Sequence, residues 1–242
     1  MIIKIVTLSL MAVFYICYFA KLISQKKQGI KTDQLGKGKE GFVKFIEVAL
    51  KIITYLLPVI QIISIVFCSG TAHIVLQFTG VVITMFGVLA FIVSVTQMKE
   101  NWRAGVQKEE KTNLVTTGIY SISRNPAFLG FDLMYIGILF SFFNWFLCFA
   151  TGFAVVFFHL QIVNVEEDFL IKAFGNEYLQ YKSKVCRYLG RKRQIPVCRA
   201  DRHLKNHTKT REQPWYFILQ EPATAGIWRG ALPKGWICRF TT

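Results

Sequence analysis

IITYLLPVIQIISIVFCSGTAHIVLQFTGVVITMFGVLAFIVSVTQM, residues 52–98, is a run of 47 residues without a single Asp, Glu, Lys or Arg. A run of this length is too long for one membrane crossing and suits two helices of ~20 residues each. Cys68-Ser69-Gly70-Thr71-Ala72 supplies turn chemistry between them. Outward from this core, Ile3 to Ile23 fits a first span. Ala127 to Phe143 fits a fourth and Phe146 to Val165 a fifth, with Asn144-Trp145 as a tight corner between them. The expectation is an all-α integral membrane protein of about five transmembrane helices.

Composition agrees. The 242 residues are 53% hydrophobic and 18% charged, with a mean hydropathy of +0.39, and the charges are bunched rather than spread. The opening stretch could also be read as a signal peptide, but its apolar run reaches Ile23 with no clear small-x-small cleavage site. A retained span is the favoured reading. The six cysteines (17, 68, 148, 186, 198 and 238) form no CxxC pair, so neither a disulfide framework nor a zinc site is expected. His203-x3-His207 after Cys198 is a faint metal-ligand spacing, and the expectation is no metal.

The segment 24–44 carries Lys26, Lys27, Lys31, Lys37, Lys39 and Lys44 against Asp33 and Glu40. The segment 99–124 carries Lys99, Arg103, Lys108, Lys111 and Arg124. The chain after Val165 is also basic, whereas the two intervening turns have no Lys or Arg. The positive-inside rule therefore puts both loops and the C-terminus in the cytoplasm and the N-terminus outside. The net charge of +15 is concentrated on that side, where anionic lipid is an added attraction. Nucleic-acid binding is excluded as a leading reading, because the basic residues flank spans and no nucleic-acid fold signal accompanies them.

Two polar motifs flank the last hairpin. One is Gly118-Ile-Tyr120-Ser-Ile-Ser123-Arg124-Asn125-Pro126-Ala-Phe128-Leu-Gly130. The other starts at Glu166-Glu167-Asp168 and runs through Phe174-Gly175 to Tyr178 and Tyr181. Only Asp132 is charged between them, so an apolar hairpin can bring both motifs to one membrane surface. Pro126 suits the first turn of the fourth helix, where its missing N–H costs nothing. Ser123, Arg124 and Asn125 then stand at a helix entrance with unpaired N–H groups and a positive dipole end. With the fork of Arg124 they can hold a carboxylate or phosphate; the alternative is an Arg that anchors the span among headgroups.

Glu166 and Glu167 end the fifth span, where they either form a solvated face or recognise a cation or hydroxyl groups. His159 lies two turns earlier on the same face. Asp132 sits about 9 Å along the helix from Pro126. An acid within a span is a candidate functional residue, and a quiet pairing with a neighbouring helix is the other reading. Trp102 and Arg103 read as interfacial anchors that could also line a pocket from the third helix. Phe169, Leu170, Ala173, Phe174, Tyr178 and Tyr181 recur at helical spacing, the pattern of an amphipathic helix that lies on the membrane or closes over the site.

These motifs resemble the isoprenylcysteine carboxyl methyltransferase family, within the wider group of membrane methyltransferases that includes phospholipid N-methyltransferases. The pattern G-x-Y-x-x-x-R-[HN]-P-x-[YF]-x-G is matched from Gly118 to Gly130, with Asn125 where many members have His. The second pattern is matched at Glu166, Glu167, Phe169-Leu170, Phe174, Gly175, Tyr178 and Tyr181. The resemblance covers roughly residues 70 to 193. It implies methyl transfer from S-adenosyl-L-methionine to a membrane-associated acceptor, either the carboxylate of a prenylated or other lipidic substrate or a lipid amine. Tyr120, Arg124, Asn125, Pro126, Glu166 and Glu167 carry over to the cofactor site, and Arg124 and Glu167 to the chemistry. If the acceptor is an amine, Asp132 and His159 are the first candidates for a base.

The domain layout that follows is a five-helix membrane methyltransferase domain over 1–193, its last helix cytoplasmic. A basic extension over 194–242, read as largely disordered, comes after it. Two other functions compete: a non-enzymatic membrane scaffold or small transporter, and a membrane reductase using NADPH. The first predicts that Arg124→Ala and Glu167→Ala leave function intact, and the second predicts a dinucleotide in place of a methyl donor.

Overall fold

The computed structural model describes residues 1–28, 39–67, 73–99, 102 and 113–192. All of its extended elements are helices: α1 (Ile2–Lys27), α2 (Gly41–Phe67), α3 (Ile74–Met98), α4 (Pro126–Ser141), α5 (Trp145–Gln161) and α6 (Glu167–Lys184). A short 3-10 helix, Gly118–Ser121, precedes α4, and a π turn, Ile162–Glu166, joins α5 to α6. An isolated bridge between Val185 and Arg191 closes a small hairpin after α6. The expected extension, 194–242, lies outside the described residues, as do the Cys68–Ala72 turn and the faint Cys198/His203/His207 spacing.

Four helical runs are long and apolar enough to cross a membrane: Ile2–Lys27, Gly41–Phe67, Ile74–Met98 and Trp145–Lys184. The fourth expected span is real but short. α4 has 16 residues, about 24 Å at 1.5 Å per residue, against ~30 Å of hydrocarbon. It is stopped at one end by Pro126, which cannot continue a helix backwards through its ring. The expected fifth span and the expected amphipathic helix are one continuous run, because the π turn carries the helix through Glu166 without a break. Its only interruption is Gly175, whose φ of +51° is the left-handed conformation that glycine adopts without strain.

α3 and α4 are the most intimately packed pair. Glycines let the two backbones meet: a Cβ on Gly87 would stand 2.5 Å from the Met134 nitrogen, and one on Gly130 would stand 2.8 Å from the Phe91 nitrogen. Gly80 and Gly137 face each other two turns further along. Small residues at such crossings are the membrane solution to packing, since lipid offers no hydrophobic drive between helices.

α2 packs on α5, and α1 on α3. Asn144 caps α5 by accepting from the Leu147 N–H at 2.8 Å and donates to Ser64 of α2 at 2.7 Å, which makes the expected corner at Asn144-Trp145. The core is Phe14, Leu57, Phe91, Tyr135, Ile138 and Leu147, while Ile5, Phe45, Val59, Phe86 and Phe149 are exposed on the outer faces. Exposed apolar side chains of this density fit a surface that lipid covers.

Candidate active site at the entrance of α4

The loop before α4 is built by its own sequence. Gly118 has φ +60°, a turn that brings the Ile119 N–H to the Gln97 Oε1 at 2.9 Å. Tyr120 is buried and reaches the Ser94 carbonyl, tying the loop to α3. Tyr181 of α6 donates to the Tyr120 carbonyl at 2.5 Å. The hairpin after α6 closes the other side: Gly190 N–H bonds Ile122 O at 2.9 Å, and Arg124 N–H bonds Cys186 O at 3.1 Å. Asn125 ends the loop and donates to the Arg187 carbonyl at 3.2 Å. No side chain caps the first turn of α4, and Pro126 occupies its start.

Arg124 and Glu167 meet inside this frame. Arg124 Nη2 lies 3.1 Å from Glu167 Oε1, with both side chains at most 5% exposed. Arg124 Nη1 donates to the Tyr178 hydroxyl at 2.8 Å. Glu167 also accepts from Arg187 Nε at 2.7 Å and pairs with Lys182 Nζ at 2.8 Å. Burial pushes the Glu167 carboxyl up, but the Arg187 and Lys182 bonds and the Arg124 charge outweigh it and hold it down at about 2. The bond to Glu167 pushes the Arg187 guanidinium up in turn. One donor is left over: Arg124 Nε is buried and has no partner among the described residues.

Glu166 does not join this cluster. It is half-buried and lies within electrostatic reach of Lys39 and Glu47, on the α2 side of the π turn. Tyr120 is close in sequence but braces α3 rather than facing Glu167. Asp132 is buried one turn beyond Phe128, its Oδ1 without a partner among the described residues, within reach of Tyr188. Tyr188 and His159 are joined at 2.8 Å with stacked rings. Arg187, Tyr188 and Lys182 escaped the sequence reading because they lie beyond the last motif residue, Tyr181. Their only advance signal was a polar-aromatic pair, Arg187-Tyr188, directly after a predicted membrane-proximal helix.

An apolar cavity of about 590 Å³ opens beside the cluster. α1 contributes Met11 and Tyr15, α2 Leu50 and Pro58, and α5 Phe158 and Gln161. Ala127 and Phe128, the residues directly after Asn125-Pro126, line it too. The first turn of α4 thus carries the charged cluster and the apolar cavity within five residues. Trp102, expected as an interfacial anchor or a pocket wall, is buried and lines this cavity, and its carbonyl accepts from Gln25 at 2.7 Å. Among the described residues no group of three or more His, Cys, Asp or Glu converges as a metal site.

Residues 75–177 match the sequence profile of the phospholipid methyltransferase family. Three similar proteins are protein-S-isoprenylcysteine O-methyltransferases. That of Saccharomyces cerevisiae is 39% identical over 79 residues, 33% of each chain. That of Dictyostelium discoideum is 30% identical over 112 residues, 46% of this chain and 47% of that one. The B form of Arabidopsis thaliana is 31% identical over 80 residues, 33% of this chain and 41% of that one. This part of the chain is thus similar both to the phospholipid methyltransferase family and to these protein-S-isoprenylcysteine O-methyltransferases. The chain aligns with a third to just under half of the length of these methyltransferases. The profile match spans α3, α4 and its entrance, α5 and most of α6; it includes Arg124 and Glu167 and ends just before Tyr178, Lys182 and Arg187.

Proposed function

We propose that this protein transfers a methyl group from S-adenosyl-L-methionine to the carboxylate of a prenylated or similarly lipidic acceptor that enters from the bilayer. One observation carries the reading: the first turn of α4 joins a buried, charged cluster to a lipid-sized apolar cavity. The residues fit the donor. Arg124 has a buried N–H to spare, and the uncapped start of α4 adds a positive dipole end, so a carboxylate is favoured there. Glu167, ionised and fixed by Arg187 and Lys182, suits an ammonium or ribose hydroxyls. Asn125 and Pro126 shape the entrance and Tyr120 braces it, while Glu166 lies beside Lys39, Glu47 and Gln161.

S-adenosyl-L-methionine supplies an electrophilic methyl on a sulfonium, so the transfer is a direct displacement. The protein's work is alignment of the reacting atoms and exclusion of water. Arg124, Tyr178 and Glu167 fix the polar half, and Phe128, Phe158 and Leu50 hold the apolar chain. No dyad of nucleophile and base is required. The methyltransferase relatives favour this chemistry over the NADPH reductase alternative. The charge bias of the loops supports a site on the cytoplasmic face and an outside N-terminus. A methyltransferase domain over 1–193, with 194–242 as an appendage, is the matching layout.

A second acceptor class, a lipid amine, draws support from the bare Oδ1 of Asp132 and from the phospholipid methyltransferase profile. The deciding experiment is calorimetric titration of the donor into the purified chain, followed by methyl transfer to prenylcysteine acids and to lipid amines. Arg124→Ala is expected to weaken donor binding by about 1.5–3 kcal/mol, the scale of a charged hydrogen bond. Unchanged affinity removes Arg124 from the donor site. No binding by the folded, lipid-embedded chain returns the scaffold reading.

A further inference from the structure

The lining of the apolar cavity includes a buried amide, Gln161, that the methyl-transfer reading leaves unused. Gln161 closes the last turn of α5, is 1% exposed and lines the cavity. Its Nε2 donates to Glu47 Oε1 at 3.3 Å, and Glu47, itself fully buried, also pairs with Lys39. The amide presents its nitrogen to two carboxyls, Glu47 and Glu166, since Glu166 is also hydrogen-bonded by Gln161. The orientation of Gln161 is thereby fixed, and its oxygen points elsewhere. That oxygen is buried and has no donor among the described residues. A buried carbonyl without a donor is costly.

We propose that Gln161 Oε1 accepts a hydrogen bond from an N–H on the acceptor, the amide or amine nitrogen that flanks the carboxyl of a prenylated cysteine. The inference rests on the methyl-transfer reading for the identity of the acceptor. Gln161 is then a specificity-determining residue: the cavity holds the chain, and Gln161 reads the nitrogen between the chain and the reacting carboxylate. Two carboxyl groups, Glu47 and Glu166, stand beside Gln161 together with Lys39. That balance favours a donor and disfavours a second acid on the ligand. Phe128, which lines the same cavity, follows Asn125 by three positions, so one cavity borders both Gln161 and the residues next to the charged cluster.

The test uses the full chain in lipid nanodiscs and two acids with the same farnesyl thioether chain. One is N-acetyl-S-farnesylcysteine. The other replaces its acylated-nitrogen-bearing carbon by CH2. Affinities are read by calorimetry for the unaltered chain and for Gln161→Met, which keeps the length and apolar volume of the side chain. The N–H compound is expected to bind about tenfold tighter to the unaltered chain, the scale of one buried hydrogen bond. In Gln161→Met the ratio is expected to fall to about one, with the loss confined to that compound.

Equal affinities on the unaltered chain overturn the proposal, as does an equal loss for both compounds in the variant or no binding of either. The ligand comparison on the unaltered chain decides the matter even where the variant fails to fold. Methyl transfer is followed in the same samples. A preference in binding without turnover keeps the role of Gln161 and removes the methylation reading. Turnover of both acids at equal affinity does the reverse.

Discussion

Glu167 shares its two oxygens among three cations, and this sets how the site responds to acid. Its carboxyl is depressed from an ordinary 4.5 to about 2. A depressed carboxylate contributes stability that is fully present above its unfolded value and is lost as the pH falls towards the folded one. The cluster is therefore expected to hold through neutral and mildly acidic conditions and to weaken below about pH 4.5. Thermal melts of the detergent-purified chain between pH 7 and 3 check this: Glu167→Gln should flatten the acid limb of the unaltered chain. An identical limb in both means that another carboxyl governs it. Arg124 and Glu167 were legible in the sequence because each breaks an apolar context. That Glu166 would turn the other way was not. Neighbours on a helix diverge by about 100°, and the π turn decides which of the two faces α4.

At the scale of elements, the close crossing of α3 and α4 fixes the height of the α4 entrance. Gly130→Val puts a branched side chain where a Cβ would already press on the Phe91 backbone and the Gly87 carbonyl. Overpacking of this kind costs about 1–3 kcal/mol. The expected result is a lower melting temperature together with weaker donor binding, since Arg124 moves with the helix start. A lower melting temperature with unchanged donor affinity would uncouple the crossing from the site. The existence of each helix was readable from apolar runs and from Pro126 and Asn144. The shortness of α4 and the continuity of α5 into α6 were not. Periodicity marks a helix on either side of Glu166 but carries no sign of a π turn between them.

At the scale of the molecule, the cavity draws its walls from α1, α2, α4, α5 and Trp102. No local pattern in the chain announces a space between elements so far apart in sequence, which is why the sequence reading named only Trp102 and Arg103 as possible pocket lining from the third helix. Thr54 lines this cavity, and its hydroxyl bonds only the carbonyls of its own helix. Thr54→Phe therefore narrows the cavity without stranding a partner. Acceptors with a long apolar chain should show a several-fold higher KM, short-chain analogues a smaller change, and donor affinity none. An equal effect on long and short chains would place the acceptor outside this cavity.

The Arg124–Tyr178 contact joins residues 54 positions apart, and this has a consequence for how the protein is made. Synthesis runs from the N-terminus, so Arg124 and the whole of α4 leave the ribosome before Glu167, Tyr178, Lys182 or Arg187 exists. The nascent chain thus carries an unneutralised guanidinium at the edge of the bilayer until the final turns of α6 and the following hairpin emerge. A stall or truncation before Arg187 leaves a helix hairpin that can insert but cannot settle.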